Sequence, residues 1–287
     1  MRVFCGFFVQ NAKEFLNMPF QEALELYMSI GGVPEYLIKA SEYKSFKDFI
    51  EKEFFSKHGY FYREPYFIIS QEFKELKTYF SILNAIAYGN TKPTEIANFT
   101  GIGAREIYPY LENLLRLGFI ERQVSVIGNP KKGLYLIKDH VFDFWFNFVF
   151  KYREEIERGV FSVENESLTS FFGKKFEAFF LKEFIFDLLP SSQKIGKWWH
   201  KEEEIDIVAL NEESKEIAFF ECKWSTLRKK ETEKIFFELK RKAALVEWQN
   251  PDRKERYGVI ARTIEGKEAF REKGYFAFDL EDIQSHL

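Results

Sequence analysis

Two short apolar segments joined by a polar one restrict the fold of this chain more than any other feature of its sequence. They are Glu204-Ile-Asp-Ile-Val-Ala-Leu210 and Phe219-Phe-Glu-Cys-Lys-Trp224. The polar segment between them, Asn211–Glu216, has the composition of a turn. The pattern predicts a hairpin of two antiparallel strands, one over Glu204–Leu210 and one over Ile217–Trp224.

The same hairpin brings charged side chains together. Successive side chains of a strand point to opposite faces, so Glu221 and Lys223 share one face while Cys222 lies on the other. Antiparallel partners keep a constant sum of residue numbers, and a hairpin centred near residues 213–214 places Asp206 opposite Glu221. Carboxylates this close repel each other unless a cation compensates. Mg²⁺ or Mn²⁺ suits such oxygen ligands, makes a bound water a better nucleophile and neutralises charge on a phosphoryl group.

The C-terminal region, residues 159–287, alternates helical and strand-like patterns, which predicts an α/β domain with a mixed sheet. Beside the hairpin, the segments are an aromatic-rich helix at Ser170–Leu189, a long basic helix at Leu227–Trp248, a strand at Arg256–Arg262, a short helix at Glu265–Glu272 and a strand at Tyr275–Leu280. Residues 223–273 contain 15 Lys and Arg against 9 Asp and Glu. The basic helix is either a solvated face or a surface that follows a DNA backbone through Lys229, Lys230, Lys240 and Arg241.

Residues 76–158 predict a winged helix-turn-helix domain. A helix at Thr78–Tyr88, a short helix from Pro93, a tight turn at Thr100–Gly103 and a longer helix at Ala104–Leu117 precede two strands joined by Gly128–Gly133. In this arrangement the longer helix can enter the major groove of DNA. The next run, His140–Phe150, is apolar nearly all round and predicts a buried helix.

The charge of this region leaves two interpretations open. The net charge from Thr91 to Ile137 is +2, from six Lys and Arg and four Asp and Glu. Arg105, Lys131 and Lys132 are the predicted phosphate contacts if the region binds DNA. The alternative is a winged helix that serves only for protein packing.

Residues 1–75 predict a helical region, interrupted at Gly31-Gly-Val-Pro-Glu-Tyr36. Its start, Met1–Val9, is apolar but lacks a cleavage pattern, so we predict no signal peptide. The two cysteines, Cys5 and Cys222, cannot form a disulfide framework, which favours a cytoplasmic protein. No segment reaches the ~20 apolar residues of a membrane span, and we predict no membrane partner. A net charge of −3 excludes a uniformly basic coat protein of nucleic acid.

The residues Asp206 and Glu221-Cys-Lys223 resemble the Asp…Glu-x-Lys signature of the PD-(D/E)XK nuclease-like fold. The resemblance implies a restriction-endonuclease-like domain in which Asp206, Glu221 and the Cys222 carbonyl hold one or two Mg²⁺ or Mn²⁺ ions. It implies that Lys223 orients or deprotonates the attacking water. Glu177 matches the acidic residue of that family's first helix, with a further role at the metal; its alternative is a solvated helix position.

The resemblance is closer still to one group of proteins. Gly196-Lys-Trp-Trp-His200, Glu204-Ile-Asp206 and Glu221-Cys-Lys-Trp224 resemble the C-terminal domain of archaeal P-loop ATPases, in which a helical lid and a winged helix precede a nuclease-like domain. Residues 1–75 are then lid-like, 76–158 the winged helix and 159–287 the nuclease-like domain. The phosphate-binding pattern Gly-x4-Gly-Lys-Ser/Thr is absent from the sequence, so we expect no ATPase activity.

Two classes of function remain open at this point. The first is a metal-dependent DNA endonuclease targeted by a winged helix and acting through Asp206, Glu221, Lys223 and Glu177. The second is a non-catalytic DNA-binding or assembly protein, a remnant or partner of an archaeal ATPase, in which the same residues form only a surface ion-pair network. Self-association and association with an ATPase are the predicted protein partnerships.

Overall fold

The structure, a computed structural model, describes residues 16, 18–250 and 252–286. Cys5 and the apolar start Met1–Val9 therefore lie outside the described residues. The chain divides into two compact units. The helical unit comprises the described residues of Asn11–Gln123 and Gly133–Glu164, and the sheet unit comprises Val124–Lys132 and the described residues of Asn165–Leu287. The division into 1–75, 76–158 and 159–287 stays a prediction.

Helices dominate the chain up to Glu157. In order, the elements are α1 (Phe20–Ile30), α2 (Pro34–Ala40), α3 (Phe46–Glu53), α4 (Tyr60–Glu72), α5 (Leu76–Ala87), α6 (Pro93–Thr100), α7 (Ile107–Leu117), β1 (Ile120–Val124), β2 (Gly133–Ile137), α8 (His140–Phe144), a π-helical segment (Trp145–Phe150) and α9 (Arg153–Glu157). Strands β1 and β2 form a two-stranded sheet.

Phenylalanine rings form much of the core of the helical unit. Phe54 lies 4.9 Å from Phe61 and 4.7 Å from Phe144 between ring centroids, and all three side chains are fully buried. The predicted buried run His140–Phe150 is confirmed: it is helical, and Trp145 within it is 2% exposed. The indole Nε1 of Trp145 donates to the carbonyl of Tyr62 at 3.0 Å, which satisfies its one polar group.

The predicted order of helix, short helix, turn, longer helix and hairpin is confirmed for α5 through β2. Pro93 begins α6, where its missing N–H costs no hydrogen bond. Gly101 and Gly118, at φ of 72° and 80°, follow α6 and α7 in the left-handed conformation that glycine adopts readily. The turn before α7 is longer than predicted, and the helix begins at Ile107 rather than Ala104.

The chain from Asn165 onward alternates helices and strands. In order, the elements are α10 (Asn165–Phe179), a π-helical segment (Phe180–Phe184), α11 (Ile185–Leu188), β3 (Lys194–His200), β4 (Glu203–Asn211), β5 (Glu216–Leu227), α12 (Lys229–Ala243), β6 (Lys254–Ile264), α13 (Lys267–Arg271), β7 (Phe276–Phe278) and α14 (Leu280–His286).

A five-stranded mixed sheet of order β3-β4-β5-β6-β7 organises the sheet unit. Strands β3, β4 and β5 are antiparallel neighbours, while β5, β6 and β7 are parallel. Helix α12 covers one face, where Phe219 and Leu239 share a buried cluster. Helix α10 covers the other face through Phe176, 5.0 Å from Trp224 between ring centroids. The predicted α+β class with a mixed sheet is confirmed.

Several element boundaries of the sheet unit differ from the sequence prediction. Strand β5 runs on to Leu227, which pairs with Ile264 of β6, so α12 begins only at Lys229 and it ends at Ala243 rather than Trp248. The long aromatic helix begins earlier than predicted, at Asn165, and Phe180–Phe184 interrupts its α-helical hydrogen bonding. Strand β3 was not predicted, because Lys194–His200 has no clean alternation of apolar residues.

Within the part of the chain that the structure describes, no helix is both long enough and apolar enough to cross a membrane.

Candidate active site

The candidate site lies where strands β4 and β5 separate. Their backbone pairing runs from Asn211 opposite Glu216 to Ile207 opposite Phe220. Beyond this last pair, the backbone N–H of Cys222 donates to the carboxylate Oδ2 of Asp206 at 2.8 Å. At this fork the Asp206 carboxylate accepts the N–H that a backbone carbonyl would accept in regular strand pairing. This hydrogen bond fixes the position of the carboxylate.

The predicted register of this hairpin is confirmed. The observed pair Ile207–Phe220 has the sum of residue numbers that places Asp206 across from Glu221. Strand alternation holds as well, because Trp224 packs on α10 while Glu221 contacts α12 on the opposite face. Both carboxylates are buried, with Asp206 4% and Glu221 5% exposed.

Burial in this fork raises the pKa of Asp206 to about 8, and the neighbouring carboxylates of Glu221 and Glu177 add to the effect. Lys223 and the Cys222 N–H act in the opposite sense without cancelling it. The Lys223 ammonium lies 2.8 Å from Glu221 Oε2 and 3.7 Å from Asp206 Oδ2. Desolvation acts to lower the pKa of Lys223, but Asp206 and Glu221 raise it above its ordinary value.

Glu221 has a different environment from Asp206 because two ammonium groups contact it. Lys242 of α12 donates to Oε1 at 2.6 Å, and Lys223 donates to Oε2 at 2.8 Å. Burial acts to raise the pKa of Glu221, yet Lys223 and Lys242 together hold it below its ordinary value. The two central carboxyl groups therefore have pKa values shifted in opposite directions.

Another lysine, Lys197, lies on the other side of Asp206 and contacts several carboxylates. The Lys197 ammonium is 3.2 Å from Glu177 Oε2, 3.1 Å from Glu204 Oε2 and 3.9 Å from Asp206 Oδ1. Burial acts to lower the pKa of Lys197, but these three carboxylates raise it. Burial also raises the pKa of Glu177, against the effect of Lys197. Glu177 thus lies beside the site through its ion pair with Lys197, and its role at a metal stays a prediction.

The Cys222 side chain does not belong to this charged cluster. Its residue is 3% exposed, and burial raises the pKa of the thiol well above its ordinary value. A thiol of this kind is inert as a nucleophile. The role of its backbone carbonyl at a metal stays a prediction.

The basic residues predicted on α12 are spread over the helix. Lys229 and Lys230 are exposed at its first turn, whereas Lys242, which contacts Glu221, lies near its last turn. At ~1.5 Å of rise per residue the two ends are about 18 Å apart, so Lys229 and Lys230 are not part of the carboxylate cluster. Lys240 donates to the Tyr275 hydroxyl, and Arg241 pairs with Glu203 and Glu238.

The three residues predicted to contact phosphates are exposed. Arg105 lies in the turn before α7, and Lys131 and Lys132 lie in the loop between β1 and β2. This loop belongs to the sheet unit: the Val126 N–H donates to the carbonyl of Lys197 at 2.9 Å.

Three charged residues of the site were not singled out from the sequence. Lys197 and Glu204 stand within the quoted motifs, but neither received a role, and Lys242 was one of many lysines on a basic helix. The periodicity of α12 held the missing signal: Lys242 lies three residues after Leu239, a core residue, on the side of the helix that faces the sheet.

The cluster has the type of donor atom that a hard divalent cation requires, since Mg²⁺ and Mn²⁺ prefer carboxylate and backbone carbonyl oxygens. Four carboxylates, of Glu177, Glu204, Asp206 and Glu221, face three ammonium groups. Among the described residues, however, no group of three or more His, Cys, Asp or Glu side chains is arranged so that it could hold a metal ion.

Comparison with known proteins gives relatives without an assigned activity. The DUF234 family model, described as archaea bacterial proteins of unknown function, matches residues 145–235, which include Asp206, Glu221 and Lys223. The chain is 36% identical over 285 residues to an uncharacterised protein, MJECL04, of Methanocaldococcus jannaschii. That alignment covers 96% of this chain but 63% of the relative, so the chain spans less than two thirds of the relative's length. No solved structure matches the chain.

Proposed function

We propose that this protein is a metal-dependent DNA endonuclease that hydrolyses phosphodiester bonds at the cluster of Asp206, Glu221 and Lys223. The observation that supports the proposal is the buried environment of the Asp206 carboxyl group. Its carboxyl group is 4% exposed beside a second buried carboxylate, with a pKa raised to about 8. Burying the ionised form of this carboxyl group costs free energy, as its raised pKa indicates, and a position with only a structural use does not need an ionisable group.

A divalent cation offsets that cost. The residues that would hold Mg²⁺ or Mn²⁺ are Asp206 and Glu221, with the Cys222 carbonyl as a further oxygen donor. Such an ion, when bound, lowers the pKa of water and neutralises charge that develops on a phosphoryl group. If a cation displaced the proton that the raised pKa of Asp206 holds, the cluster would have four carboxylates against three ammonium groups, a negative balance that the cation would offset.

The proposed role of Lys223 follows from its charge. The neighbouring carboxylates raise its pKa, so the ammonium stays protonated at neutral pH and acts as a hydrogen-bond donor rather than a base. Its side chain is 40% exposed, more than that of either carboxylate, so it can reach a substrate at the surface. We assign to it the orientation of the attacking water and the stabilisation of charge on the pentavalent phosphorane.

DNA is the proposed substrate because of the element order before the sheet unit. Helices α5, α6 and α7 followed by the β1–β2 hairpin support a winged helix-turn-helix, in which α7 would enter the major groove. The exposure of Arg105, Lys131 and Lys132 is compatible with phosphate contacts. A mixed sheet with helices on both faces likewise supports the restriction-endonuclease-like fold that the Asp…Glu-x-Lys pattern implies.

Metal-dependent nicking is the experiment that tests the proposal. The protein is expected to convert supercoiled plasmid to the open circular form with Mg²⁺ or Mn²⁺ and to leave it intact with EDTA. Asp206→Asn is expected to abolish nicking and to weaken Mn²⁺ binding in a calorimetric titration. Asp252→Asn, a control at an exposed carboxylate paired with Lys215, is expected to behave as wild type. Nicking that persists in EDTA or in Asp206→Asn would contradict the proposal.

Salt dependence tests the proposed DNA contacts separately from cleavage. The triple variant Arg105→Ala, Lys131→Ala, Lys132→Ala is expected to bind duplex DNA more weakly in the presence of EDTA. The slope of log K against log salt concentration is expected to fall by about 0.9 for each phosphate that the variant no longer neutralises. Lys47→Ala, at an 81% exposed lysine of α3, is the control. An unchanged slope would mean that the β1–β2 hairpin serves protein packing instead.

A second candidate function is a non-catalytic DNA-binding or assembly protein, a remnant or partner of an archaeal ATPase. One observation favours it: both carboxylate oxygens of Glu221 already contact ammonium groups, of Lys223 and Lys242. An ion-pair network of this kind needs no metal. Wild-type protein that neither binds Mn²⁺ nor nicks plasmid would support this candidate, and co-purification with an ATPase or self-association would then identify its partner.

A further inference from the structure

The loop between β1 and β2 lies against an edge of the five-stranded sheet. Strand β3 is the first strand of that sheet and has β4 as its neighbour. The Val126 N–H donates to the Lys197 carbonyl at 2.9 Å, and the Trp199 N–H donates to the Ser125 hydroxyl at 3.4 Å. The loop thus supplies hydrogen-bond partners for two backbone groups of an edge strand, which are otherwise left unpaired by the sheet.

Side chains of the same loop pack on the core of the sheet unit. Val126 and Ile127 contact a buried cluster that contains Trp198 of β3. The backbone of Gly196 allows this close approach, because a Cβ atom at that position would lie 3.0 Å from the Cβ of Val126. A larger side chain at Gly196 would therefore push the loop away from β3.

The loop holds β3 at the point where the pairing of β3 with β4 is irregular. The register shifts between Gly196 and Trp198, so the one residue between them, Lys197, lies opposite two residues of β4, Asp206 and Ile207. A bulge of this kind re-aims side chains out of the regular alternation of a strand. The hydrogen bond from the loop is thus made to the residue at which the bulge occurs.

The contacts of the Lys197 side chain depend on this backbone geometry. The side chain is 17% exposed, and its ammonium lies 3.2 Å from Glu177 Oε2, 3.1 Å from Glu204 Oε2 and 3.9 Å from Asp206 Oδ1. These carboxylates come from two elements, α10 and β4, so the ammonium has little freedom to shift. Because Val126 holds the carbonyl of the same residue, a displacement of the loop is expected to move the ammonium relative to Asp206.

We propose, resting on the function proposed above, that Val126 is a positioning residue for the site. Its N–H holds the backbone of Lys197, and the Lys197 ammonium in turn fixes the carboxylate of Asp206 on the side opposite to Lys223. Val126 acts on the reaction only through Lys197. The loop whose tip carries two of the proposed phosphate contacts is then also the loop that sets the geometry of the carboxylate cluster.

Gly196→Val in the full chain tests the proposal, because the added side chain displaces the loop without altering a residue of the cluster. Acylation of lysines by an amine-reactive ester, followed by mass spectrometry, reports how firmly Lys197 is held and requires no activity. Lys197 is expected to react several-fold faster in Gly196→Val than in wild type, whereas exposed Lys194 of the same strand is expected to react at similar rates in both. Gly173→Ala is the matched control, since a Cβ atom there meets no atom within 4 Å.

The plasmid assay shows whether the position of Lys197 matters for cleavage. The rate of nicking at saturating DNA is expected to fall by about 10- to 10²-fold in Gly196→Val, because a misplacement of ~1 Å can cost this much. The slope of log K against log salt concentration for DNA binding in EDTA is expected to stay that of wild type, because the charged residues are unchanged. Adding Val126→Gly makes room for the new side chain, keeps the N–H and is expected to restore both the acylation rate and nicking. A merely structural role would lower the free energy of unfolding and leave the nicking rate of the folded protein unchanged.

The outcomes separate this proposal from the function on which it rests. Unchanged acylation of Lys197 in folded Gly196→Val would overturn the role of Val126, whether or not wild type nicks DNA. Faster acylation with an unchanged nicking rate would overturn it as well. Wild type that does not nick, together with faster acylation in the variant, would contradict the proposed function and retain Val126 as the residue that positions Lys197. If Gly196→Val does not fold, Val126→Pro, which removes the N–H, is expected to give the same results.

Discussion

Replacing Lys223 by alanine is expected to remove plasmid nicking while Mn²⁺ binding is retained. The Lys223 ammonium lies 2.8 Å from Glu221 and 3.7 Å from Asp206, the two carboxylates assigned to the ion. Its removal takes away a positive charge that competes with the ion, so the affinity for Mn²⁺ is expected to be equal to wild type or higher. The rate of nicking is expected to fall by about 10²- to 10³-fold, the range typical of removing one donor that stabilises charge in the transition state.

This asymmetry distinguishes catalysis from a structural ion pair. If the network were purely structural, loss of Lys223 would chiefly lower the free energy of unfolding. The calorimetric titration would then show no Mn²⁺ binding in either wild type or the variant. Lys194→Ala, which removes a lysine of β3 that pairs with exposed Glu212, controls for the general loss of positive charge and is expected to nick as wild type does. Nicking by Lys223→Ala at the wild-type rate would remove the residue from the proposed mechanism.

The parts of the fold that were predictable depend on local information. Alternation in Glu204–Leu210 and Phe219–Trp224, together with the turn between them, was enough to predict the hairpin and its register. Strand β3 was missed because its residues obey no simple alternation and its register shifts at Lys197. Its edge is completed by a backbone hydrogen bond from Val126, which is distant in sequence and has no local signal.

The same distinction separates the predicted site residues from the missed ones. Asp206, Glu221 and Lys223 belong to one hairpin, so strand geometry alone relates them. Lys242 reaches Glu221 only because α12 folds back over the sheet, and Lys197 reaches Asp206 only through the bulge of β3. Packing between elements thus brings the ammonium groups of Lys197 and Lys242 to the cluster. The periodicity of a single segment cannot predict such contacts.

Substituting the two buried carboxylates is expected to change stability in opposite directions. Asp206→Asn is expected to raise the free energy of unfolding in EDTA by about 1–2 kcal/mol at pH 9, because the amide carries no charge to bury and its oxygen can still accept the Cys222 N–H. The pKa of Asp206 is raised from 3.8 to about 8 on folding, so the stability that its neutral form contributes is complete below pH 4 and is lost as pH rises through 8. The advantage of Asn is therefore expected to grow from pH 5 to pH 9.

Glu221→Gln is expected to lower the free energy of unfolding by about 1–3 kcal/mol at pH 7, since the charge-assisted hydrogen bonds to Lys223 and Lys242 are removed. The lowered pKa of Glu221 means that its contribution is present above the ordinary glutamate pKa and disappears as pH falls through the lowered value. The free energy of unfolding can be measured by urea unfolding followed by tryptophan fluorescence. This signal reports on the sheet unit, because that unit contains four of the five tryptophans: Trp198, Trp199, Trp224 and Trp248. Asp252→Asn is the control. If Asp206→Asn were as destabilising as Glu221→Gln, Asp206 would be a structural partner of Lys223, and its raised pKa would no longer support a cation site at the fork of β4 and β5.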